Sequence, residues 1–404
     1  MRDRPVLEQC KKSNLVCAKR PRWMLAVMAV MLMWSHGGPS QVLAAENVMS
    51  LRGAKLEIGG ELELEIVDSQ SNGRIRDKNS TPAPDTAKGQ MNESNNANPR
   101  MSIDKIVITP KVHVTSNILF KADIEFSPDS SVKLDEAWVK FSGLPLNSWV
   151  TLGQEDPFIH VSRKTESYPL LGHAFWQDED LGLFMGGAAG PVYWRFSATN
   201  GRRLRDRQAG EDRVFPMTTD DDDNGENNAN KQIGVGLGLN HAFKPGHSVD
   251  VLPFWYGADL SPNDITYLNT ISGYTDLSSK DQSRYGVNFD YILSGFELFA
   301  QYMKAEDGAM DRDGWYVQPS YQQTLGMAHL QSVEFLLRYE EYNVDLVPVF
   351  ADARTWDRKT TTLALISEIA KGFKIKTEYY LNDEETGGGD VDNNELLIQA
   401  EVKF

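Results

Sequence analysis

Residues 394–404 read Asn-Glu-Leu-Leu-Ile-Gln-Ala-Glu-Val-Lys-Phe, and their alternation decides the fold. Apolar side chains occupy every second position from Leu396 to Phe404. Charged or amide side chains occupy positions between them, namely Glu395, Gln399, Glu401 and Lys403. A period of two is the side-chain period of a β-strand. We expect this last strand to pair with the first strand of the mature chain, residues 55–67, because that pairing closes the sheet into a barrel without free edges.

Residues 55–67 form the clearest strand of the remaining sequence. Apolar residues and Gly60 alternate with glutamates between Leu56 and Ile66. Similar segments recur along the chain, and we count sixteen, each of about 9 to 13 residues, which is long enough for a tilted strand to cross a bilayer. Short turns largely alternate with long connections, as in outer-membrane proteins. The predicted fold class is therefore all-β, a transmembrane antiparallel β-barrel of about sixteen strands.

The first 45 residues have the composition of a signal peptide. Basic residues between Arg2 and Arg22 precede an apolar segment, residues 24–34, and the small residues Ala44 and Ala45 follow. The apolar segment is too short to span a bilayer as a helix. We predict cleavage after Ala44 or Ala45, so that residues 46–404 form the barrel. An amino-terminal membrane anchor is the alternative.

Composition excludes several classes of protein. The net charge is −16, and loss of the signal peptide removes seven basic and two acidic residues, so nucleic acid is not an expected partner. Both cysteines, Cys10 and Cys17, lie in the signal peptide, so the mature chain is expected to have no disulfide. The mean hydropathy of −0.43 does not fit a helical membrane protein.

Two polar stretches, residues 68–100 and 200–230, predict long external loops. The second carries arginines that could contact lipopolysaccharide phosphates, although a solvated loop balanced by Asp220 to Asp223 is the plainer interpretation. Apolar strand faces, such as the one from Phe335 to Tyr339, predict contact with outer-membrane lipid. Aromatic residues near strand ends indicate an interfacial girdle, unless they are simply common in strands: Trp149, Tyr193, Trp194, Trp255, Tyr256, Trp315, Tyr316, Tyr342 and Tyr380.

Three segments resemble the phosphate-selective porin O/P family of Gram-negative outer membranes. They are residues 135–141 (Asp-Glu-Ala-Trp-Val-Lys-Phe), residues 150–158 with Gly153-Gln154 and Pro157-Phe158, and residues 194–201 ending in Asn200-Gly201. The resemblance implies a pore, a homotrimer, and a loop at residues 155–180 that folds into the lumen. Residues then expected at the constriction are Glu155, Asp156, His160, Arg163, Lys164 and Glu166. The alternative is a solvated outer loop.

Charges on the predicted inner face bear on ion preference. If the alternation holds, the basic residues that point inward are Lys105, Lys111, Arg195, Arg284, Arg338, Lys374 and Lys376. They are scattered rather than stacked, and Glu57, Glu61, Glu63 and Glu65 share the lumen. These glutamates either favour cations or pair with Lys105, Lys111 and Lys403 on the adjacent strands. Phosphate selectivity is accordingly only one of the alternatives.

No enzyme or cofactor signature is recognisable. G-x-S-x-G, H-E-x-x-H and P-loop motifs are absent from the sequence, and the histidines show no metal spacing. Asp220, Asp222 and Asn224 match the first half of a calcium loop, but Lys231 occupies the position where a bidentate Glu is required. We therefore predict no enzyme activity, no cofactor and no metal, with this half-motif as a weak calcium candidate.

The predicted function is that of an outer-membrane porin through which small hydrophilic solutes or ions diffuse passively. Anions such as phosphate are the narrower form of this prediction. The alternative function is a barrel that acts as a scaffold or sleeve for other envelope proteins, without an open pore. Phe404 also resembles the terminal aromatic signal by which the barrel assembly machinery recognises its substrates, so we expect that machinery to be a partner.

Overall fold

The computed structural model describes residues 48–51, 53–69, 100–127, 131–159, 162, 164–176, 179–201, 203–209, 213–220, 231–269, 279–345, 355–386 and 394–404. The chain divides into two compact units, Met1–Ala45 and Glu46–Phe404, and every described residue belongs to the second. The predicted signal peptide, residues 1–45, lies outside the described residues. So does most of the predicted loop 68–100.

The secondary structure of the described residues is almost entirely β. The strands are β1 Val48–Leu51, β2 Ala54–Ser69, β3 Arg100–Thr115, β4 Ile118–Phe126, β5 Val132–Leu144, β6 Ser148–Glu155, β7 Asp180–Ala189, β8 Val192–Thr199, β9 Arg203–Ala209, β10 Arg213–Asp220, β11 Gln232–Lys244, β12 His247–Asp259, β13 Asp281–Leu293, β14 Phe296–Asp307, β15 Met310–Met327, β16 Leu330–Asp345, β17 Thr355–Ala370, β18 Phe373–Thr386 and β19 Glu395–Lys403. Helical elements are a 3₁₀ turn at Pro145–Asn147, a π-helical turn at Gly172–Trp176, and α1 at Pro262–Leu268. None of the described helices has the length and hydropathy of a membrane span.

Sixteen of the strands, β2–β8 and β11–β19, form one closed antiparallel barrel. Strands that follow one another in sequence pair with one another, and two further pairings complete the circle. Strand β8 pairs with β11, and β19 pairs with β2. The predicted fold class and the predicted strand count of the barrel are confirmed.

The pairing of the last strand with the first closes the barrel. The register runs from Glu395 opposite Ser69 to Lys403 opposite Glu61. Beyond that point β1 takes over the same edge of β2, with Val48 opposite Glu57. The sequence pattern did not predict strand β1. It pairs with the first residues of β2, beyond the part of that edge that pairs with β19.

Side chains alternate between the inside and the outside of the barrel. Outward positions carry large apolar side chains that remain exposed, such as Leu237 (63% exposed), Phe335 (58%) and Leu363 (48%). Exposed apolar side chains also occur on β2, β5, β12 and β18, among others, so they extend over much of the outer surface. An apolar exterior of this extent is a feature of proteins that contact membrane lipid. The predicted aromatic girdle is partly wrong, because Tyr256, Tyr316, Tyr342 and Tyr380 are buried inside the barrel.

Short turns lie at one rim of the barrel and most long connections lie at the other. At the short-turn rim, Gly372 adopts a φ of 76°, and its carbonyl accepts a hydrogen bond of 2.7 Å from the Lys403 amide. One connection at the long-loop rim is also tight. Strand β15 begins at Met310, and only Gly308-Ala309 separates it from β14. The glycine permits the turn, since its φ is 66°.

The predicted loop 200–230 contains ordered structure. Strands β9 and β10 form an antiparallel hairpin there, with Arg213 opposite Ala209. The amide of Leu204 donates to the Asp264 carboxylate in α1 at 2.8 Å. Asp264 also completes a capping box with Ser261 at the start of this helix. The connection between β8 and β11 thus contains a hairpin that is separate from the barrel sheet.

Candidate functional site

The segment between β6 and β7, residues 156–179, contacts the inner wall of the barrel at its described residues. It is called the inserted segment below. The Lys164 ammonium donates to Glu297 at 2.7 Å, to Glu334 at 2.6 Å and to the Ser320 hydroxyl at 2.9 Å. These three partners lie on β14, β16 and β15. Burial opposes the charge on Lys164, but the hydrogen bonds to Glu297 and Glu334 outweigh it and raise its pKa. The ammonium therefore remains charged and attaches the segment to three strands.

Glu166 makes a second attachment, to the strands beside the barrel closure. Its amide donates to both carboxylate oxygens of Glu378 at 2.9 and 3.0 Å. Its own carboxylate accepts from the Gln399 side chain at 2.5 Å, and Lys376 lies 3.9 Å away. The inner wall of β18 and β19 therefore supplies the partners of both the backbone and the side chain at this position.

Arg338 fixes the backbone of the same segment. Its guanidinium donates to the Thr165 hydroxyl at 2.7 Å and to the Ser167 carbonyl at 3.2 Å, and it pairs with Glu340 at 3.1 Å. Glu340 in turn accepts from the Leu170 amide at 2.6 Å. Arg338 is fully buried. It lies on the inner face of β16, where the inserted segment covers it.

Arg312 makes a further buried attachment that the sequence analysis missed. Its guanidinium pairs with Asp307 at 2.6 Å and donates to the Ala174 carbonyl at 3.1 Å. The guanidinium also lies 4.7 Å from the centroid of the Phe175 ring. Asp307 ends β14 and Arg312 lies near the start of β15. Nothing in the local sequence pattern distinguishes them from residues of a polar turn.

An apolar cluster fills the lumen beneath these attachments. Side chains of the inserted segment, including Leu171 and Phe175, pack against Phe299 and Tyr342 on the barrel wall and against Leu268 of α1. Arg284 on β13 is also fully buried. The chain's own segments thus cover the inner wall of β14 to β16 and the part of β12 that carries Phe254 and Tyr256.

The opposite wall remains accessible to water. On β4 and β5, Lys121 pairs with Asp123 at 2.8 Å and with Glu136, and these three side chains are 16 to 19% exposed. Asp123 also accepts from Thr109 at 2.5 Å. Lys111 lies directly opposite Lys121 in the register. The hydrogen-bond partners of these three side chains all lie on β3, β4 and β5, so the attachments described above do not cover this side of the lumen.

Aromatic and basic side chains come together near the short-turn end of that wall. The Trp149 ring lies 4.3 Å from the Lys140 ammonium and 5.7 Å from the Arg195 guanidinium. Tyr193 lies under the same guanidinium at 4.7 Å and donates to Asp250 at 2.5 Å. Trp149 and Tyr193, which the sequence analysis placed in an interfacial girdle, thus contact luminal charges.

The other predicted site residues fall into three groups. Glu155 ends β6 and Asp156 follows it, close to Glu179, whose pKa is raised to about 9 by burial and by the charges of Asp135 and Asp156. Lys374 occupies an inward position of β18, opposite Glu401. His160, Arg163, Asp222 and Asn224 lie outside the described residues, and Asp220 is described only as the last residue of β10.

Carboxylates gather on the inner face of β2. Oxygen atoms of Glu61, Glu63 and Glu401 lie within 4.8 Å of one another, and so do those of Glu63, Asp104 and Glu166. Ammonium groups lie among them, with Lys105 3.4 Å from Glu63, Lys403 3.2 Å from Glu61, and Lys376 2.8 Å from Glu401. Carboxylates of this kind are ligands for hard cations, but here lysines balance their charge.

Lysines on the neighbouring strands contact some of the first-strand glutamates, but not all of them. The pairs of Lys105 and Lys403 with first-strand glutamates are present. No ion pair of Lys111 with a first-strand glutamate is found among the described residues. Glu57 lies opposite Lys111 but contacts Lys55 at 2.7 Å and His113 at 3.4 Å. Glu65 accepts from the Ser102 hydroxyl at 2.8 Å.

Solved structures similar to this barrel are outer-membrane proteins. They include OprB of Pseudomonas putida (TM-score 0.60, 10% identity, 86% of this chain and 94% of that chain) and the outer membrane channel DcaP of Acinetobacter baumannii (0.54, 12%, 88% and 99%). An anion-selective porin from Comamonas acidovorans is also similar (0.52, 9%, 87% and 99%). No family model and no curated protein sequence matches the chain. At these identities the likeness establishes a porin-type barrel fold.

Proposed function

We propose that the chain is an outer-membrane porin that allows small hydrophilic solutes or ions to diffuse passively. The observation that carries this proposal is the unequal filling of the lumen. The segment anchored by Lys164 and Arg338 covers one wall, while the charged wall around Lys121 stays accessible to water. A narrowed, hydrated passage lined by charges is what a diffusion pore requires.

Location in the outer membrane is part of the same proposal. Its support is the apolar exterior of the barrel together with the porin-type fold. In that setting the short-turn rim faces the periplasm and the long-loop rim faces outward. A homotrimer is a further expectation from the resemblance described above. Contact with lipopolysaccharide is an expectation from the arginines of residues 200–230, and recognition by the assembly machinery is one from Phe404.

We propose weak ion selectivity rather than a dedicated phosphate pathway. Lys105 and Lys376 have carboxylate partners, and Arg284 and Arg338 are buried, so these four do not form a row of free cations along the passage. Lys111, Lys140 and Arg195 make no ion pair with a described carboxylate and would attract anions. The reversal potential in a potassium chloride gradient should therefore be small. A strong anion preference would favour the phosphate-type pore instead.

Stepwise ionic current in a planar lipid bilayer tests the porin function directly. Purified protein should produce discrete conductance steps whose size increases with salt concentration. A silent barrel that copurifies with a stoichiometric partner would overturn the proposal and support the alternative of a structural sleeve. The chain's own segments already occupy part of the lumen, which leaves less room for such a partner.

A further inference from the structure

A cavity of about 600 Å³ opens inside the barrel toward the short-turn rim. Its wall is formed by β8, β11, β12, β13 and β14, and Phe158 of the inserted segment closes one side. The volume is in the range of sites that hold small molecules. The cavity includes Tyr193 and Arg195 of the luminal group described above, so a solute that passes through the pore can reach it.

Arg195 presents an unpaired positive charge to this cavity. Its guanidinium stacks on the Tyr193 and Trp149 rings, and its Nη1 donates only to the neighbouring Trp194 carbonyl at 2.9 Å. No described carboxylate lies within 4.0 Å of it. A guanidinium that lies near aromatic rings and makes one hydrogen bond keeps most of its donors free, and such donors suit a carboxylate.

Glycines create the space in which Arg195 and its neighbours lie. A Cβ atom at Gly186 would approach Trp149 to 2.7 Å and Arg195 Nη1 to 2.9 Å, and one at Gly238 would collide with the Tyr193 ring. Both glycines occupy inward strand positions. The inner wall is therefore recessed at this place, and the arginine and the rings fill only part of the recess.

Asp290 presents the opposite charge to the same cavity. Its Oδ1 atom is buried and has no hydrogen-bond partner among the described residues. The neighbouring Asp250 differs, because Tyr193 donates to it at 2.5 Å and Asn240 donates to it at 2.6 Å. Asp290 and Arg195 both line the cavity, yet they do not form an ion pair with each other. Two unlike charges are thus held apart across one cavity.

Apolar side chains complete the lining between these charges. Phe158, Leu252, Ile292 and Phe299 all contribute to the cavity. Phe158 stacks on Tyr256 with their ring centroids 4.9 Å apart, which fixes the position of this part of the inserted segment. An apolar group of a solute could therefore be desolvated here while its charged groups meet Arg195 and Asp290.

We infer that this cavity binds small zwitterions that carry an apolar substituent, of the α-amino-acid type. The carboxylate pairs with Arg195, the ammonium pairs with Asp290, and the substituent packs against Phe158 and Leu252. A solute with both charges satisfies both groups at once, whereas an anion, a cation or a sugar satisfies at most one of them. The inference rests on the proposed porin function, because it names a solute class for that pore.

The test uses L-phenylalanine as the probe and the ion current of the full-length protein in a planar bilayer. L-Phenylalanine should block the current transiently. L-Phenylalaninamide and 3-phenylpropionate, which each lack one charge, should bind about tenfold more weakly, the loss expected for one charge-assisted hydrogen-bonded contact. Equal block by 3-phenylpropionate, or by glucose, would overturn the assignment to zwitterions.

Variants identify the residues responsible. Arg195→Gln and Asp290→Asn should each weaken the block by L-phenylalanine about tenfold, while Arg195→Lys should retain part of it. Lys304→Gln, which removes a cation at an outward position of β14, should leave the block unchanged. Loss of block in Lys304→Gln, or unchanged block in Arg195→Gln and Asp290→Asn, would contradict the inference.

A protein that gives no current would refute the porin function, but the current measurement would then say nothing about whether the cavity binds zwitterions. Calorimetric titration of the detergent-solubilised protein with L-phenylalanine decides the site in that case. Binding by the natural sequence and its loss in both Arg195→Gln and Asp290→Asn would support the site. Absence of binding, with the barrel folded, would overturn it.

Discussion

The backbone of Phe404 pairs with that of Gly60 in both directions, and the Phe404 ring lies over the glycine. Each amide donates to the other residue's carbonyl at 3.0 Å. A Cβ atom at Gly60 would approach Phe404 Cζ to 2.5 Å. The contact lies at the point where the last strand ends against the first, so it completes the closure of the barrel.

Deletion of Phe404 is expected to reduce the yield of folded barrel without changing the solute preference of the barrel that does form. Gly60→Val should have the same effect, because its side chain would displace the ring. The fraction that resists unfolding on an unheated denaturing gel measures the yield, and Ile58→Val on the same outward face serves as the control. Normal assembly of either variant would remove the role assigned to this contact.

Lys164→Met should destabilise the inserted segment. The change leaves Glu297 and Glu334 without their shared ammonium, at a cost of about 1–3 kcal/mol in the free energy of unfolding. We expect noisier open-channel current and faster proteolysis near residue 164. The double variant Lys164→Met/Glu334→Gln should recover part of the loss, and a double variant as noisy as the single one would argue against charge repulsion as the cause.

Arg338→Met should be more damaging, because the arginine is fully buried. Glu340 would lose its ionic partner, and the Thr165 hydroxyl and Ser167 carbonyl would lose a donor, which costs about 3–5 kcal/mol. Denaturant unfolding in detergent measures this cost. Lys359→Met, at an exposed outward position, is the matched control, and equal stability of the two variants would show that Arg338 is not an anchor.

Lys121→Met should move the reversal potential toward cation preference. The variant leaves Asp123 and Glu136 unneutralised on the hydrated wall, and negative charge in a narrow passage favours cations. Lys304→Met is the control, since Lys304 occupies an outward position of β14. A reversal potential that does not move in Lys121→Met would mean that the permeating ions do not pass this wall.

Glu179 should make the stability of the folded barrel decrease with rising pH. Its pKa is about 9 in the folded chain, against about 4.5 when unfolded, so the folded state holds the proton more tightly. The stabilising contribution of the protonated carboxyl is complete below pH 4.5 and is lost progressively as the pH rises toward 9. In Glu179→Gln this part of the pH dependence should vanish, whereas Glu306→Gln at an exposed position should preserve it. Parallel profiles for the natural sequence and Glu179→Gln would contradict the assignment.

The alternating pattern in the sequence predicted the barrel because the apolar and polar faces of a strand depend only on the residues of that strand. Each strand needs one apolar face and one polar face, so residues 55–67 and 394–404 could be recognised without knowledge of their neighbours. The same pattern gave the strand count and the identity of the closing pair. The strand boundaries on either side of the tight turn at Gly308 were harder to predict from the sequence, because a polar strand end and a polar turn have the same composition.

The state of the luminal side chains depended on contacts between distant parts of the chain. Arg195 and Arg338 both fall on inward strand positions, and nothing local separates them. Arg338 is buried because residues 165–168 fold back against it from about 170 positions away, while Arg195 remains in an open cavity. Glycines occupy the inward positions 234, 236 and 238 of β11, so the sequence shows an inner face without side chains at this place. These glycines were the signal in the sequence that indicated the recess.

The sequence by itself thus determined the sixteen strands of the barrel, their inner and outer faces and the pairing that closes the barrel, since these follow from the two-residue period. Only the tertiary structure decided which luminal charges are anchors and which can meet a solute. A polar side chain on the inner face is compatible with water, an ion pair or a covering segment. The choice among these is made by the inserted segment and α1, whose positions depend on long-range packing that no periodic pattern encodes.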